Sequence, residues 1–188
     1  VPGCPLQAQP GTTHAVLFGE FHENRADRKL GAHELAIKFF KKTVKEDPLL
    51  DKGWIALVDY YSTQLNYQKA LSYIEKATEI DEENALYWIR YAKLNKKLNF
   101  FEESEHGYRR AIELGNYELE TWLERSDILL QLGEIEAVVS NLEHGLEFYP
   151  KNTEIEYRLA GAYFKTNDLI KARFHLQNAF KNDPECIV

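Results

Sequence analysis

A chain of 188 residues is long enough to bury one continuous core, and a hydrophobic content of 44% predicts that it folds. The formal net charge of -7 argues against general nucleic-acid binding, which depends on clustered Lys and Arg facing phosphates. No apolar run approaches the roughly 18 residues that a membrane-spanning helix requires, so membrane insertion is not expected.

The first sixteen residues hold Pro2, Pro5 and Pro10, two glycines and no Asp, Glu, Lys or Arg, which predicts an extended or disordered tail over 1–16. In 17–30, Leu17, Phe18 and Phe21 fit either a degenerate capping helix or an irregular arm. From there on the chain is periodic. A helix is expected near 33–46. First helices of paired units are expected near 52–64, 86–98, 120–132 and 154–166, and second helices near 68–81, 101–115, 135–148 and 169–182. The period itself is 34 residues: Trp54, Trp88 and Trp122 follow one another at that spacing, and Pro48, Pro150 and Pro184 share one phase. Within a unit, Trp54, Leu57, Val58 and Tyr61 fall on one helical face, and Ala70, Ile74 and Ala77 on the facing stripe of the next helix. The same stripe recurs as Tyr108 and Ala111 with Ser104, as Val138, Leu142 and Gly145, and as Ala172, Leu176 and Ala179. Glu156 stands in the fourth unit where Trp stood in the others. Gly31, Asn99, Gly133 and Asn167 share one phase just past each first helix, where a left-handed residue closes the turn, and Asn66 stands one position later in its unit.

These phased positions resemble the tetratricopeptide repeat family, a helix–turn–helix unit of this period. The resemblance covers 51–84, 85–118, 119–152 and 153–186 well, and 17–50 only in its second half, through Ala36, Phe40 and Pro48. It implies an all-α fold: an α-solenoid of stacked antiparallel helix pairs in a right-handed superhelix spanning 17–186. Ile187 and Val188 would then begin a further unit, and the expectation is that a capping helix follows or that this end packs on another molecule. The sequence contains no Met, so the expectation is either that an upstream segment was removed, with any targeting signal in it, or that this is a cut fragment. Location is therefore open, with the cytoplasm as the default.

No catalytic chemistry is legible. His14, His22, His33, His106, His144 and His175 show no zinc-protease spacing. His106, His144 and His175 are expected on the helix surface. No phosphate-binding glycine loop, nucleophile elbow or cofactor motif appears. Cys4 and Cys186 are expected to be unpaired thiols. Asp and Glu number 30 and fit solvated helix faces. The three tryptophans sit where repeat packing needs bulk, which reads as core rather than as a base-stacking platform.

Function follows from shape. In the family resembled, first helices line a concave groove that holds an extended peptide or a partner helix, so a protein-interaction scaffold or adaptor is expected, without enzymatic activity. The alternative is the regulatory segment of a larger enzyme. A chaperone C-terminal carboxylate clamp is argued against. Ile55 and Asp59 replace the Lys and Asn that such a clamp needs. One unit later Ile89, Lys93 and Glu124 do no better. Ile55, Ile89, Leu123 and Tyr157 each follow the Trp phase by one residue, about 100° around the helix. With Asp59, Lys93, Asp127 and Gly161 one turn on, Phe164 beyond, and the basic insert of Lys93, Lys96 and Lys97, they are the groove that the resemblance implies; the alternative is that the four apolar residues finish the packing between adjacent first helices. Charge is banded: unit 51–84 carries three basic against seven acidic residues, 85–118 six against five, and 119–152 two against seven. Such banding fits either a solvated surface with no role or a groove that sets the register of a charged protein or peptide.

Overall fold

A computed structural model describes residues 34–184. The expected tail 1–16, the ambiguous stretch 17–30, Gly31, both cysteines, and Ile187 with Val188 lie outside the described residues. No described residue lies in a strand. A helix over 34–46, α1, belongs to a compact unit that ends at Pro48 and is described by itself.

The second unit, from Leu49 onward, contains eight described helices. They are α2 (Asp51–Thr63), α3 (Tyr67–Ile80), α4 (Ala85–Lys97), α5 (Phe101–Glu113), α6 (Leu119–Leu132), α7 (Ile135–Phe148), α8 (Thr153–Lys165) and α9 (Leu169–Asn182). Each begins and ends within two residues of its expected limits. Their starts are set locally. The side chains of Asn66, Asn84, Asn152 and Asp168 accept hydrogen bonds from the first-turn amides of Lys69, Leu86, Ile155 and Lys171. Each such cap is worth about 1 kcal/mol. First helices end on a left-handed residue in one phase: Leu65, Asn99, Gly133 and Asn167 have φ of 56°, 61°, 77° and 64°. Asn66 was the expected turn residue of its unit. Leu65 takes that conformation instead, because the phase is fixed by the helix pair, and Asn66 caps the following helix.

Consecutive helices pack on one another all along this unit, α2 on α3, α3 on α4, and so on to α8 on α9. The buried stripe follows the period: Leu57, Val58, Ala70, Ile74 and Ala77 in the first pair, and Leu129, Val138, Leu142, Ile155 and Leu159 further along. Backbone approach depends on Gly107. A methyl group there would lie 2.9 Å from Ala92 Cβ and 3.0 Å from the Trp88 carbonyl, whereas one at Gly161 would meet nothing within 4 Å. Gly107→Ala should therefore destabilise the chain by about 1–3 kcal/mol through overpacking. Gly161→Ala should stabilise it by up to about 1 kcal/mol through helix propensity. Urea denaturation of the two variants checks the sign of each.

The tryptophans are not equivalent. Trp122 is buried, with Phe148 and Tyr117 stacked against it at ring-centroid distances of 5.8 and 6.5 Å. Trp54 and Trp88 are only half-buried, which corrects the expectation of three core tryptophans. The residues that cover Trp122 correspond, one period earlier, to Glu83 and Leu114, so Trp88 has no such aromatic cover. Trp88 instead meets His106 edge-on and donates its indole N–H to the Glu82 carbonyl at 2.8 Å.

Candidate functional site

The first helices α2, α4, α6 and α8 carry the row Ile55, Ile89, Leu123 and Tyr157. Ile55, Ile89 and Leu123 are half-buried, and Tyr157 is exposed. Helical geometry explains this. A residue one position after the Trp phase is turned by about 100°, enough to leave the core stripe but not to face away from the neighbouring helix.

Beside the row runs a ladder of ion pairs joining each first helix to the next. Arg90 on α4 binds Asp59 on α2, and Arg158 on α8 binds Asp127 on α6. Between them, Lys93 and Lys96 on α4 reach Glu120 and Glu124 on α6 at 2.8 and 2.6 Å. The Lys93 hydrogen bond, then its charge, holds the Glu120 carboxyl below its usual range. Near these rungs the Tyr108 hydroxyl is pushed well up, by burial and then by the charge of Glu124. Rungs this exposed are worth at most about 1 kcal/mol each. Their consequence lies in geometry: Asp59, Lys93 and Asp127 are engaged within the solenoid rather than standing as isolated charges. Lys97 is exposed and makes no ion pair among the described residues.

The structure brings Tyr157 and Phe164 together. Both line an open, mainly apolar cavity of about 510 Å³ with Gly161 of α8, Leu130 of α6, and Leu169 and Leu176 of α9. Ile89 and Lys93 meet in a second, much smaller cavity of about 20 Å³ with Tyr108, Glu120 and Glu124. Ile55 and Asp59 line neither of these two cavities.

Sequence reasoning missed the ladder partners Arg90, Glu120, Glu124 and Arg158. A signal existed: Asp59 to Arg90 and Asp127 to Arg158 share a 31-residue spacing, one period less almost a turn. It also placed His175 on the surface. His106 and His144 are exposed, but the His175 ring lies over Tyr163 at 5.4 Å and its Nδ1 is 2.6 Å from Glu156 Oε2. Asn178 donates to the other oxygen of Glu156 at 3.3 Å. Glu156 is only 6% exposed. The carboxylate that replaces Trp in the fourth unit is therefore buried and accepts from the second helix of its own pair. Among the described residues no group of three or more His, Cys, Asp or Glu side chains could hold a metal ion. Among them, too, no helix is long and apolar enough to cross a membrane.

A family model described as "Tetratricopeptide repeat" matches residues 51–84. No curated protein sequence matches the chain. Among solved structures, YrrB, described as a TPR protein with an unusual peptide-binding site, superposes with a TM-score of 0.69 at 20% identity, covering 85% of this chain and 82% of its own. MamA superposes with a TM-score of 0.69 at 18% identity, covering 85% of this chain and 94% of its own. A MamA from Desulfovibrio magneticus RS-1 covers 90% of this chain and 97% of its own at 10% identity, with a TM-score of 0.65. At such identities the similarity speaks for the fold. Residues 51–84 carry the tetratricopeptide repeat signature, and with the 34-residue period carried through α2 to α9 the described helices form an all-α solenoid of the tetratricopeptide repeat fold.

Proposed function

We propose that this chain is a protein-interaction scaffold that holds a peptide or helical segment of a partner along the first helices. The row Ile55, Ile89, Leu123 and Tyr157 makes the apolar contacts, flanked by Asp59, Lys93, Lys97, Asp127 and Phe164. One observation carries the reading. The row keeps accessible apolar surface at a regular spacing while most of the charges beside it are paired with one another. Spaced apolar anchors are what an extended or helical segment needs for register. The ladder holds neighbouring first helices at fixed separation, so the anchors keep their spacing without a partner. That YrrB is described as having a peptide-binding site supports the same reading.

The test is a comparison of variants on one partner. The partner is first captured from the source lysate with the unmodified chain, then titrated. Leu123→Glu and Tyr157→Glu should each weaken its binding by more than about tenfold, since each places a charge on the apolar contact. Circular dichroism should show both variants still helical. Retention of full affinity by both would sink the proposal.

A further inference from the structure

Tyr117, between α5 and α6, and Phe148, the last residue of α7, stack on each other with ring centroids 4.3 Å apart and planes 19° from parallel. Trp122 lies nearly parallel to both and is buried, but its two neighbours are 43 and 46% exposed. The solenoid therefore carries an aromatic step, where α7 ends, that its own packing leaves half in water.

The charge beside the step is one-sided. Unit 119–152 holds seven carboxylates against two cations. Glu120, Glu124 and Asp127, on the first helix, are bound by Lys93, Lys96 and Arg158. The other four, Glu134, Glu136, Glu143 and Glu147, stand at the start of α7 or along it. They are exposed and enter no ion pair among the described residues. Of the two cations, Arg125 is held by Glu105, and Lys151 stands exposed beyond the end of α7. Lys171, on α9, lies over the ring of Tyr163, whose hydroxyl donates to Glu143.

Nothing inside α7 offsets these charges. The helices α3 and α5 pair theirs internally, as Lys76 with Glu79 and Arg110 with Glu113, whereas α7 carries no Lys or Arg. At 100° per residue, Glu136, Glu143 and Glu147 fall within about 40° of one another around the helix. Glu143 and Glu147 are like charges four residues apart, which repel. Glu147 also sits in the last turn, where the helix dipole disfavours an anion. The stripe thus costs the free chain stability that an arriving cation restores.

Spacing and chemistry define that cation. A rise of 1.5 Å per residue puts Glu143 and Glu147 about 6 Å apart along the helix, close to the roughly 6.6 Å between alternate residues of an extended chain. Phe148 adjoins Glu147, so a cation held by Glu147 lies beside the step. A guanidinium is planar, and it can stack on an aromatic ring while donating to a carboxylate; an ammonium offers no such plane.

We propose that the aromatic step of Tyr117 and Phe148, with the carboxylates of Glu147 and Glu143 beside it, receives an extended basic segment of a partner protein bearing the pattern Arg-x-Arg. One Arg stacks on the step and donates to Glu147, and the other pairs with Glu143. This surface goes beyond the row on the first helices and does not depend on it.

The probe is a fluorescein-labelled peptide with Arg-Ser-Arg between Gly-Ser flanks. It is titrated against the full chain by fluorescence anisotropy at low ionic strength, where exposed charges are least screened. The controls are a Lys-Ser-Lys peptide of equal charge and a citrulline peptide, which keeps the planar side chain and loses the charge. The Arg peptide should bind about fivefold more tightly than the Lys peptide, the gain expected from stacking of the guanidinium, and the citrulline peptide should not bind. The chain variant with Glu143→Gln and Glu147→Gln should weaken the Arg peptide by more than about tenfold. Phe148→Leu keeps apolar bulk against Trp122 and should lower the Arg peptide to the affinity of the Lys peptide. Thermal melts confirm that both variants remain folded. Leu123→Glu in the row should leave peptide affinity unchanged, so failure of the row reads separately from failure of this surface. Equal affinity of the Arg and Lys peptides, no binding of the Arg peptide, or full affinity in the Gln variant would overturn the proposal. So would a dimer of the chain alone, seen in sedimentation, that the Gln variant dissolves; the occupant would then be a second copy. Binding that appears only once Arg25, Arg28 and Lys29 are changed to Gln would overturn it as well, with the chain's own basic stretch as the occupant.

Discussion

Trp122→Ala destabilises the chain by about 3–5 kcal/mol, the cost of deleting a large buried aromatic and leaving a cavity. The side chain is 3% exposed. It is walled by Phe148 and Tyr117, which also stack on each other at 4.3 Å, and by the backbone of Gly145, where a methyl group would lie 3.4 Å from its ring. Phe148 and Tyr117 cannot close into the space without disturbing the stack between them, and the Gly145 backbone is fixed in its helix. Trp54→Ala and Trp88→Ala should cost distinctly less, because both rings keep part of their surface in water. Trp122→Phe should be far milder than Trp122→Ala. It keeps most of the packing and removes the indole N–H, which is buried without a hydrogen-bond partner. Urea denaturation of the four variants gives the ranking. Equal losses for Ala at all three tryptophans would show that aromatic cover does not set the difference.

His175→Phe is the second large effect, a loss of about 3 kcal/mol expected from leaving one partner of a buried polar pair alone. Phe preserves the stack on Tyr163, so the change isolates the nitrogen that meets Glu156. Glu156 would be left inside the α8–α9 pair with Asn178 as its one remaining hydrogen-bond partner. Water cannot replace the lost contact at a carboxylate this buried. The double variant Glu156→Leu with His175→Phe should recover much of the loss, since it removes the stranded carboxylate as well. A double-mutant cycle in urea separates the coupling from the packing of each residue. A double variant no more stable than His175→Phe alone would mean that the loss came from ring packing rather than from the pair.

The amino-acid sequence by itself determined the helices, their limits to within two residues, the 34-residue phase and the buried stripe of Leu57, Ile74, Tyr108, Leu142 and Leu159. Those features are local. A helix and its apolar face are written in spacings of three and four residues, and the period repeats them. What only the tertiary structure decided depends on side chains far apart in the chain. Arg90 finds Asp59 and Arg158 finds Asp127 over 31 residues, and His175 finds Glu156 over 19. Leu176 has the sequence signature of Leu142 yet stands exposed, and Trp88 that of Trp122 yet is half in water. Periodicity states which face a residue occupies. Whether that face is covered is a property of the neighbouring helix, because each repeat buries its surface only against the next.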